Sequence, residues 1–199
     1  MSGKGSIELV CGPMFAGKST EISRQVSRLT GAGKAGHAAL FVPCCDVRHG
    51  VGVLSTHDGN SLEAIAIAAP FALADDIRFV IIDEVQFLDA ERFEGNVVEW
   101  ILSLRDQGRS VLAAGLDRDW QGSPFPVVEE LSLKADRVLR LRARCAKCGG
   151  PATRTWRPDA TGGIFALGGA GDYEPLCLEH WTEEATRAGI PLPVDSNAV

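Results

Sequence analysis

A short stretch near the N-terminus, CGPMFAGKST (residues 11–20), combines two glycines, a lysine and two hydroxyl side chains directly after the apolar run IELV. The spacing Gly-x4-Gly-Lys-Ser is typical of a loop whose backbone N–H groups converge on phosphate oxygens. Glycine permits the unusual dihedral angles and the close approach, and a helix starting at the loop adds favourable dipole charge. The residues predicted to form this phosphate cradle are Gly12, Pro13, Met14, Phe15, Ala16, Gly17, Lys18 and Ser19.

Two side chains of this loop have predicted chemical roles. Lys18 can reach the β- and γ-phosphates of a nucleoside triphosphate, and the Ser19 hydroxyl can ligate the accompanying Mg²⁺. The alternative is a glycine turn that only joins a strand to a helix, with the lysine in solvent. The complete pattern, placed between a predicted strand and a predicted helix, favours phosphate binding.

A second candidate element, which is acidic, lies in VIIDEVQF, where Asp83 and Glu84 follow an apolar run. Ligands of open α/β sheets collect at the carboxyl ends of the strands, and an Asp in that place holds Mg²⁺ in phosphate-loop proteins. The adjacent Glu84 could accept a proton from an attacking hydroxyl group or water, which makes it a candidate catalytic residue. The alternative is that both carboxylates cap a helix beginning near Asp89, and the division of roles between them stays open.

Two pairs of metal-ligand residues lie in the C-terminal part of the chain, namely Cys145 with Cys148 and Cys177 with His180. Four such ligands can close a tetrahedral structural zinc site with no open position for chemistry. A redox pair is the alternative for the first two, but that motif should follow a strand and open a helix. The other three cysteines are interpreted as small apolar residues: Cys11, Cys44 and Cys45.

The composition limits the classes of function. The chain has 199 residues, of which 45% are apolar, and a formal net charge of −6. The acidic balance argues against a surface built to coat nucleic acid. No apolar stretch approaches the roughly 20 residues needed to cross a bilayer, and the N-terminus lacks the pattern of a secretory signal. We expect a cytoplasmic protein without a membrane partner, in which Cys145, Cys148 and Cys177 serve a metal rather than disulfides.

The hydrophobic pattern predicts strands alternating with helices, which implies an α/β fold with a mainly parallel sheet. The predicted strands cover residues 7–11, 38–42, 78–83, 110–116 and 137–143. One helix follows the glycine stretch, and a second carries an apolar face between residues 93 and 104. After Arg144, cysteines, glycines and short alternating segments replace the long strands and helices, which indicates a domain boundary. The predicted division is 1–143 for the nucleotide-binding domain, 144–190 for a zinc-binding domain and 191–199 for a frayed tail.

The ordered combination of GPMFAGKST, DEVQF, GLDRDWQGSPF and the cysteine–histidine pairs resembles the zinc-containing thymidine kinases of the cytosolic type, over nearly all of residues 5–182. The resemblance implies a RecA-like P-loop domain with a small C-terminal lasso domain that binds structural Zn²⁺. It implies transfer of the γ-phosphoryl group of ATP, with Mg²⁺, to the 5′-hydroxyl of thymidine. It also implies a homotetramer and feedback inhibition by dTTP.

The resemblance also assigns residues. It implies that Glu84 is the proton acceptor and that further nucleotide contacts come from Asp46, Arg48, Asp83 and Gln86. Thymidine would be contacted by Met14, Phe87, Leu116, Trp120, Thr155, Ile164, Phe165, Ala166, Leu167, Gly168 and Tyr173. The chain departs from the family pattern at three places: Trp120 stands for a phenylalanine, Leu88 for an aromatic residue, and His180 for a cysteine of many members.

Two other functions compete with this hypothesis. A basic run would suit an ATPase that is stimulated by DNA or RNA; it comprises Lys134, Arg137, Arg140, Arg142, Arg144, Lys147, Arg154 and Arg157. A non-catalytic nucleotide-binding regulator is the third hypothesis, against which the presence of both Lys18 and Glu84 argues. The prediction is a thymidine kinase with no nucleic-acid partner.

Overall fold

The computed structural model describes residues 5–33, 37–45, 53–55, 61–159 and 171–192. In chain order the strands are β1 (Ser6–Cys11), β2 (Ala38–Pro43), β3 (Val53–Ser55), β4 (Ser61–Glu63), β5 (Ile65–Ile67), β6 (Phe79–Ile82), β7 (Ser110–Gly115), β8 (Arg137–Arg140), β9 (Ala143–Arg144), β10 (Pro151–Ala152), β11 (Arg154–Trp156) and β12 (Glu174–Leu176). The helices are α1 (Lys18–Gly31), α2 (Val97–Asp106), α3 (Pro126–Lys134) and α4 (Leu178–Arg187).

Six of the strands form one parallel sheet in the order β5-β2-β6-β7-β1-β8. Side chains of a strand alternate between the two faces of its sheet. In β1, Ile7 and Leu9 therefore pack on one face, while Val10 packs on the other. Both faces are apolar because helices cover both, which explains the continuous apolar runs that predicted these strands.

The helices divide between the two faces. Helix α1 lies on one side, where Ile22 is fully buried. Helices α2 and α3 pack on the other side, each through an apolar stripe. Helix α2 begins where the Asn96 side chain accepts hydrogen bonds from the N–H groups of Val98 and Glu99, at 2.9 and 3.2 Å, and this cap sets its start.

The parallel arrangement decides where the site can lie. All six strands have their carboxyl ends at one edge of the sheet, so the glycine loop after β1 and the acidic residues after β6 meet there. Strand β7 lies between β1 and β6 and contributes the segment that begins at Leu116.

The C-terminal region, which comprises the described residues 143–159 and 171–192, forms most of a second small core, to which Trp120 from the segment after β7 also belongs. Strands β9 and β10 pair antiparallel, as do β11 and β12, and α4 follows. Two backbone hydrogen bonds join these pieces, from Ala146 N–H to the Pro175 carbonyl at 2.9 Å and from Thr153 N–H to the Leu176 carbonyl at 3.2 Å.

The structure confirms the predicted fold class and the five predicted strands of the main sheet, with β8 ending at Arg140 rather than at residue 143. A helix near Asp89, the alternative explanation for the acidic pair, does not form; a single 3-10 turn, Val85–Phe87, follows them instead. Helix α2 begins later than the apolar pattern indicates, although Phe93 joins the same core. Among the described residues, no helix is both long and apolar enough to cross a bilayer.

Candidate active site and metal cluster

The glycine loop (residues 12–19) connects β1 to α1 and has a tightly constrained backbone. Gly12 has φ 149°, and a Cβ atom there would lie 2.5 Å from the Leu141 carbonyl oxygen, so only glycine fits. Gly17 has φ 88°, and the non-glycine residue Phe15 has φ 62°. A left-handed residue other than glycine persists only where its surroundings hold it, so this loop is a strained element at the edge of the sheet.

Lys18 occupies the centre of the loop. Its side chain is 8% exposed, and Nζ donates to the carbonyl oxygens of Gly12 at 3.2 Å and Pro13 at 2.9 Å. Burial lowers the pKa of Lys18, while the carboxylates of Glu84, Asp83 and Asp117 act in the opposite direction. The amine therefore folds back onto the loop's own carbonyl groups, inside the space that the loop encloses.

Ser19 and Asp83 bring two oxygen ligands together. The Ser19 hydroxyl lies 3.5 Å from Oδ2 of Asp83, which directly follows β6 and is 1% exposed. The backbone N–H of Asp83 donates to the Phe41 carbonyl at 2.9 Å and so ties the end of β6 to β2. A hydroxyl and a carboxylate are the kinds of oxygen ligand that Mg²⁺ prefers, so this pair fits that ion.

Glu84 has a different neighbourhood from Asp83. Its backbone is left-handed, with φ 51° and ψ 39°, and its side chain is half-buried. Oε2 accepts a hydrogen bond of 2.6 Å from Nε2 of Gln86, whose Oε1 in turn accepts from the Leu116 N–H at 3.0 Å. In these hydrogen bonds the two adjacent carboxylates have different partners. Gln86, which is 1% exposed, uses both ends of its amide to connect Glu84 to the segment after β7.

Several residues predicted to contact a nucleoside come together beside the glycine loop. Met14 packs against the core of the C-terminal region, which includes Trp120 and Tyr173. The Met14 N–H donates to Oγ1 of Thr155 at 3.0 Å, so this N–H points to the C-terminal region rather than into the phosphate cradle. Of two further predicted contacts, Leu116 is half-buried and Phe87 is 9% exposed. The predicted contacts at Asp46, Arg48, Ile164, Phe165, Ala166, Leu167 and Gly168 lie outside the described residues.

The four predicted metal ligands form one cluster, in which the candidate ligand atoms of Cys145, Cys148, Cys177 and His180 all lie within 4.8 Å of one another. The Sγ atoms of Cys148 and Cys177 are 3.9 Å apart, and Nδ1 of His180 lies 3.1 Å from Sγ of Cys177 and 3.6 Å from Sγ of Cys145. A tetrahedral zinc with Zn–S bonds of about 2.3 Å needs ligand separations of roughly 3.8 Å. This Cys3His group could therefore bind zinc.

The thiol of Cys145 is suited to metal binding. Burial acts to raise its pKa, but hydrogen bonds from the backbone of Cys148, Cys177 and Lys147 outweigh burial and lower the pKa from 9.0 to about 6. Cysteine binds a metal as the thiolate, and these backbone N–H groups favour the thiolate form of Cys145.

A comparison with protein families matches residues 5–181 to the thymidine kinase family. The chain belongs to the thymidine kinase family. The match covers the glycine loop, both acidic residues and all four candidate metal ligands, so both the sheet edge and the cluster lie within the part of the chain that matches the family. Membership of the thymidine kinase family implies an enzyme of the phosphotransferase class.

The structure also identifies residues that the sequence reasoning missed in this thymidine kinase family member. Asp119 is 7% exposed, and its Oδ1 accepts a hydrogen bond of 2.9 Å from the Ser123 N–H, which closes the turn that presents Trp120. Burial raises the pKa of Asp119, against the effect of the backbone N–H groups it accepts from. An Asp with a Gly-Ser pair three positions later is a turn signal, so this role could have been predicted. Asp117, whose charge acts on Lys18, lies in the stretch GLDRDWQGSPF that carried the family resemblance, but no role was predicted for it.

Proposed function

We propose that this protein is a thymidine kinase that transfers the γ-phosphoryl group of ATP to the 5′-hydroxyl of thymidine and forms dTMP. The family match supports the proposal. The observation that carries it is the convergence of three groups at one edge of the sheet: buried Lys18 in the glycine loop, the Ser19–Asp83 oxygen pair, and Glu84 with its own separate partner.

The phosphate side of the proposal uses the glycine loop. Backbone N–H groups of the later loop residues and the Lys18 amine hold the triphosphate, because Lys18 can exchange its carbonyl partners for phosphate oxygens. Ser19 and Asp83 would hold Mg²⁺. When bound, that ion neutralises charge on the phosphates and orients them. Asp46 and Arg48 remain predicted nucleotide contacts.

Glu84 is the proposed general base. It accepts the proton of the thymidine 5′-hydroxyl while that oxygen attacks the γ-phosphorus, and the β–γ bridging oxygen leaves with ADP. Gln86 orients the carboxylate by donating to Oε2. Catalysis then rests on positioning and on charge neutralisation.

The nucleoside side of the proposal uses the surface between the glycine loop and the C-terminal region. Met14, Leu116, Trp120, Thr155 and Tyr173 would surround the thymine base. The segment Ile164–Gly168 would cover it and pair with the base edge through backbone groups. A Cys3His zinc would hold the ends of this covering segment, with a structural role alone.

The basic run does not favour the nucleic-acid hypothesis. Several of its members face carboxylates: Lys134 lies 3.6 Å from Glu130, Arg137 lies 3.3 Å from Glu8, and Lys147 pairs with Glu184. Paired cations offer less positive field to a phosphate backbone. We therefore propose thymidine, and not a nucleic acid, as the partner.

The test is an assay of ADP release with Mg²⁺ and ATP, in which the acceptor is thymidine, deoxycytidine, single-stranded DNA or none. Release that depends on thymidine, together with dTMP formation, is the expected result. Release driven by DNA without dTMP would contradict the proposal.

A substitution tests the base. Glu84→Gln should lower turnover by roughly 10²- to 10⁴-fold, the usual contribution of a general base, while thymidine binding stays near that of the unchanged chain. Glu91→Gln is the matched control, because the Glu91 side chain is 80% exposed. Equal turnover in Glu84→Gln would remove the assignment.

The proposal extends to the assembly and its regulation. A homotetramer, feedback inhibition by dTTP and a cytoplasmic location are properties that the family resemblance suggests for this chain. Light scattering and inhibition by dTTP at fixed thymidine would test the first two.

A further inference from the structure

One hydrogen bond joins the C-terminal region directly to the glycine loop. Oγ1 of Thr155 accepts from the backbone N–H of Met14 at 3.0 Å, across 141 positions of the chain. Thr155 is 4% exposed, so water does not compete freely for this bond. Met14 and Ala16 also pack against the core of the C-terminal region. The loop is thus held from outside the sheet as well as by its own two flanking elements.

Thr155 itself is held by the C-terminal region. It lies in the middle of β11, which pairs with β12, and β12 ends directly before the cluster residue Cys177. From α4, the Trp181 Nε1–H donates to the Trp120 carbonyl at 3.1 Å, and the Trp120 and Trp156 rings meet edge to face at 6.3 Å. The Cys3His cluster, β11 and the loop after β7 therefore form one connected body behind the Thr155 hydroxyl.

The glycine loop needs such support. Phe15, the residue directly after Met14, is left-handed although it is not glycine, and it is 40% exposed. Its own side chain therefore does little to hold this conformation, which costs free energy. The Met14 N–H belongs to the residue directly before the strained position, and the Thr155 hydroxyl holds it.

We propose that Thr155 is a positioning residue for the phosphates: its hydroxyl holds the Met14 N–H and so keeps the glycine loop in the conformation that receives a nucleotide. Nucleotide affinity then depends on the C-terminal region, although that region supplies no group to the phosphates in this role. The inference rests on the proposed function only in that the glycine loop binds nucleoside phosphates; the identity of the acceptor does not enter.

Two substitutions separate the hydroxyl of Thr155 from its methyl group. Thr155→Val keeps the shape and removes the hydrogen bond, whereas Thr155→Ser keeps the hydroxyl and removes the methyl group that would contact the nucleoside base. Thr153→Val makes the same chemical change two residues earlier, where the hydroxyl lies 3.5 Å from the Arg154 guanidinium and has no bond to the loop. Calorimetric titration with Mg²⁺ and ADP, without any acceptor, measures the affinity.

Thr155→Val should weaken ADP binding by roughly 3- to 10-fold, the effect of about one net hydrogen bond. Thr155→Ser and Thr153→Val should stay within about twofold of the unchanged chain, since both keep this bond. In turnover assays, Thr155→Val should raise the KM for ATP, while Thr155→Ser should act mainly on the KM for the nucleoside. This split is not expected of a residue that only supports the fold.

Unchanged ADP affinity in Thr155→Val would overturn the inference, as would equal weakening in Thr155→Val and Thr155→Ser. Zinc content and melting temperature check that each variant is folded. If Thr155→Val loses its zinc, Thr155→Ala, which also lacks the hydroxyl, is compared with Thr155→Ser instead. If the unchanged chain bound no ADP, the proposed function would fail together with this inference, whereas a failure of the Thr155 role alone appears only in the variants.

Discussion

Replacing Gln86 with methionine should both destabilise the fold and slow the reaction. Methionine has nearly the same length and volume but cannot donate to Glu84 or accept from the Leu116 N–H, as the Gln86 amide does at 2.6 and 3.0 Å. Because Gln86 is 1% exposed, no space exists for water to take over both bonds without rearrangement. The change therefore removes the connection between Glu84, the proposed general base, and the segment after β7.

The expected magnitudes follow from these two bonds. The bond to a backbone N–H contributes about 1 kcal/mol net and the bond to a charged carboxylate about 2 kcal/mol, so Gln86→Met should lower the free energy of unfolding by about 3 kcal/mol. A carboxylate released from its orientation should lower kcat by about 10- to 100-fold. Gly115→Ala should act on the same connection, because its Cβ would lie 2.6 Å from Oε1 of Gln86.

Urea unfolding measures the first effect and dTMP formation the second. Gln25→Met is the matched control, since Gln25 lies on α1 and donates to Glu21 of the same helix at 2.9 Å. If Gln86 acts through Glu84, Gln86→Met should change kcat little when Glu84→Gln is already present. An equal loss of kcat in both backgrounds, or wild-type stability and kcat in Gln86→Met, would refute this reasoning.

Two further predictions concern the metal cluster and the fold. His180→Ala should lose most of the bound zinc, while His180→Cys should retain about one zinc per chain, since thiolate and imidazole are both good ligands. Metal analysis after dialysis measures the zinc content of both variants. Full zinc content in the alanine variant would exclude His180 as a ligand. Arg109 is 6% exposed and donates to the carbonyl oxygens of Ile77, Leu73 and Ala74 at 3.2, 3.3 and 3.4 Å. Arg109→Met should therefore lower the free energy of unfolding by about 3 kcal/mol. The control Arg137→Met, at a side chain that is 66% exposed, should change it little, and equal urea midpoints for the two variants would contradict this.

The parts of the site that could be predicted from the sequence are those whose geometry is local. In the glycine loop, the residues that need special dihedral angles and the lysine that folds over them lie within eight positions, so spacing alone predicts the structure. Each half of the Cys3His cluster is likewise a pair three positions apart. Because a tetrahedral ion needs four ligands, this requirement predicts that the two halves meet, although they lie far apart in the chain.

The elements that escaped prediction have weak local signals. Strand β5 has only three residues, of which Ile65 is 53% exposed, so it shows neither a long apolar run nor a clear alternation. Helix α3 buries Val128 and Leu131 but leaves Leu133 83% exposed, which blurs its apolar face. The secondary structure of these two segments is determined by packing against neighbouring elements and not by local sequence preference.

The sequence by itself determined the candidate groups: a glycine loop with a lysine, two carboxylates at the end of a strand, and four residues that could bind a metal. Only the tertiary structure decided how these parts act on one another. The Gln86–Leu116 bond spans 30 positions and the Met14–Thr155 bond spans 141. Side chains so far apart in the chain leave no mark in its local pattern, because their contact depends on the strand order and on the packing of the C-terminal region against the loop.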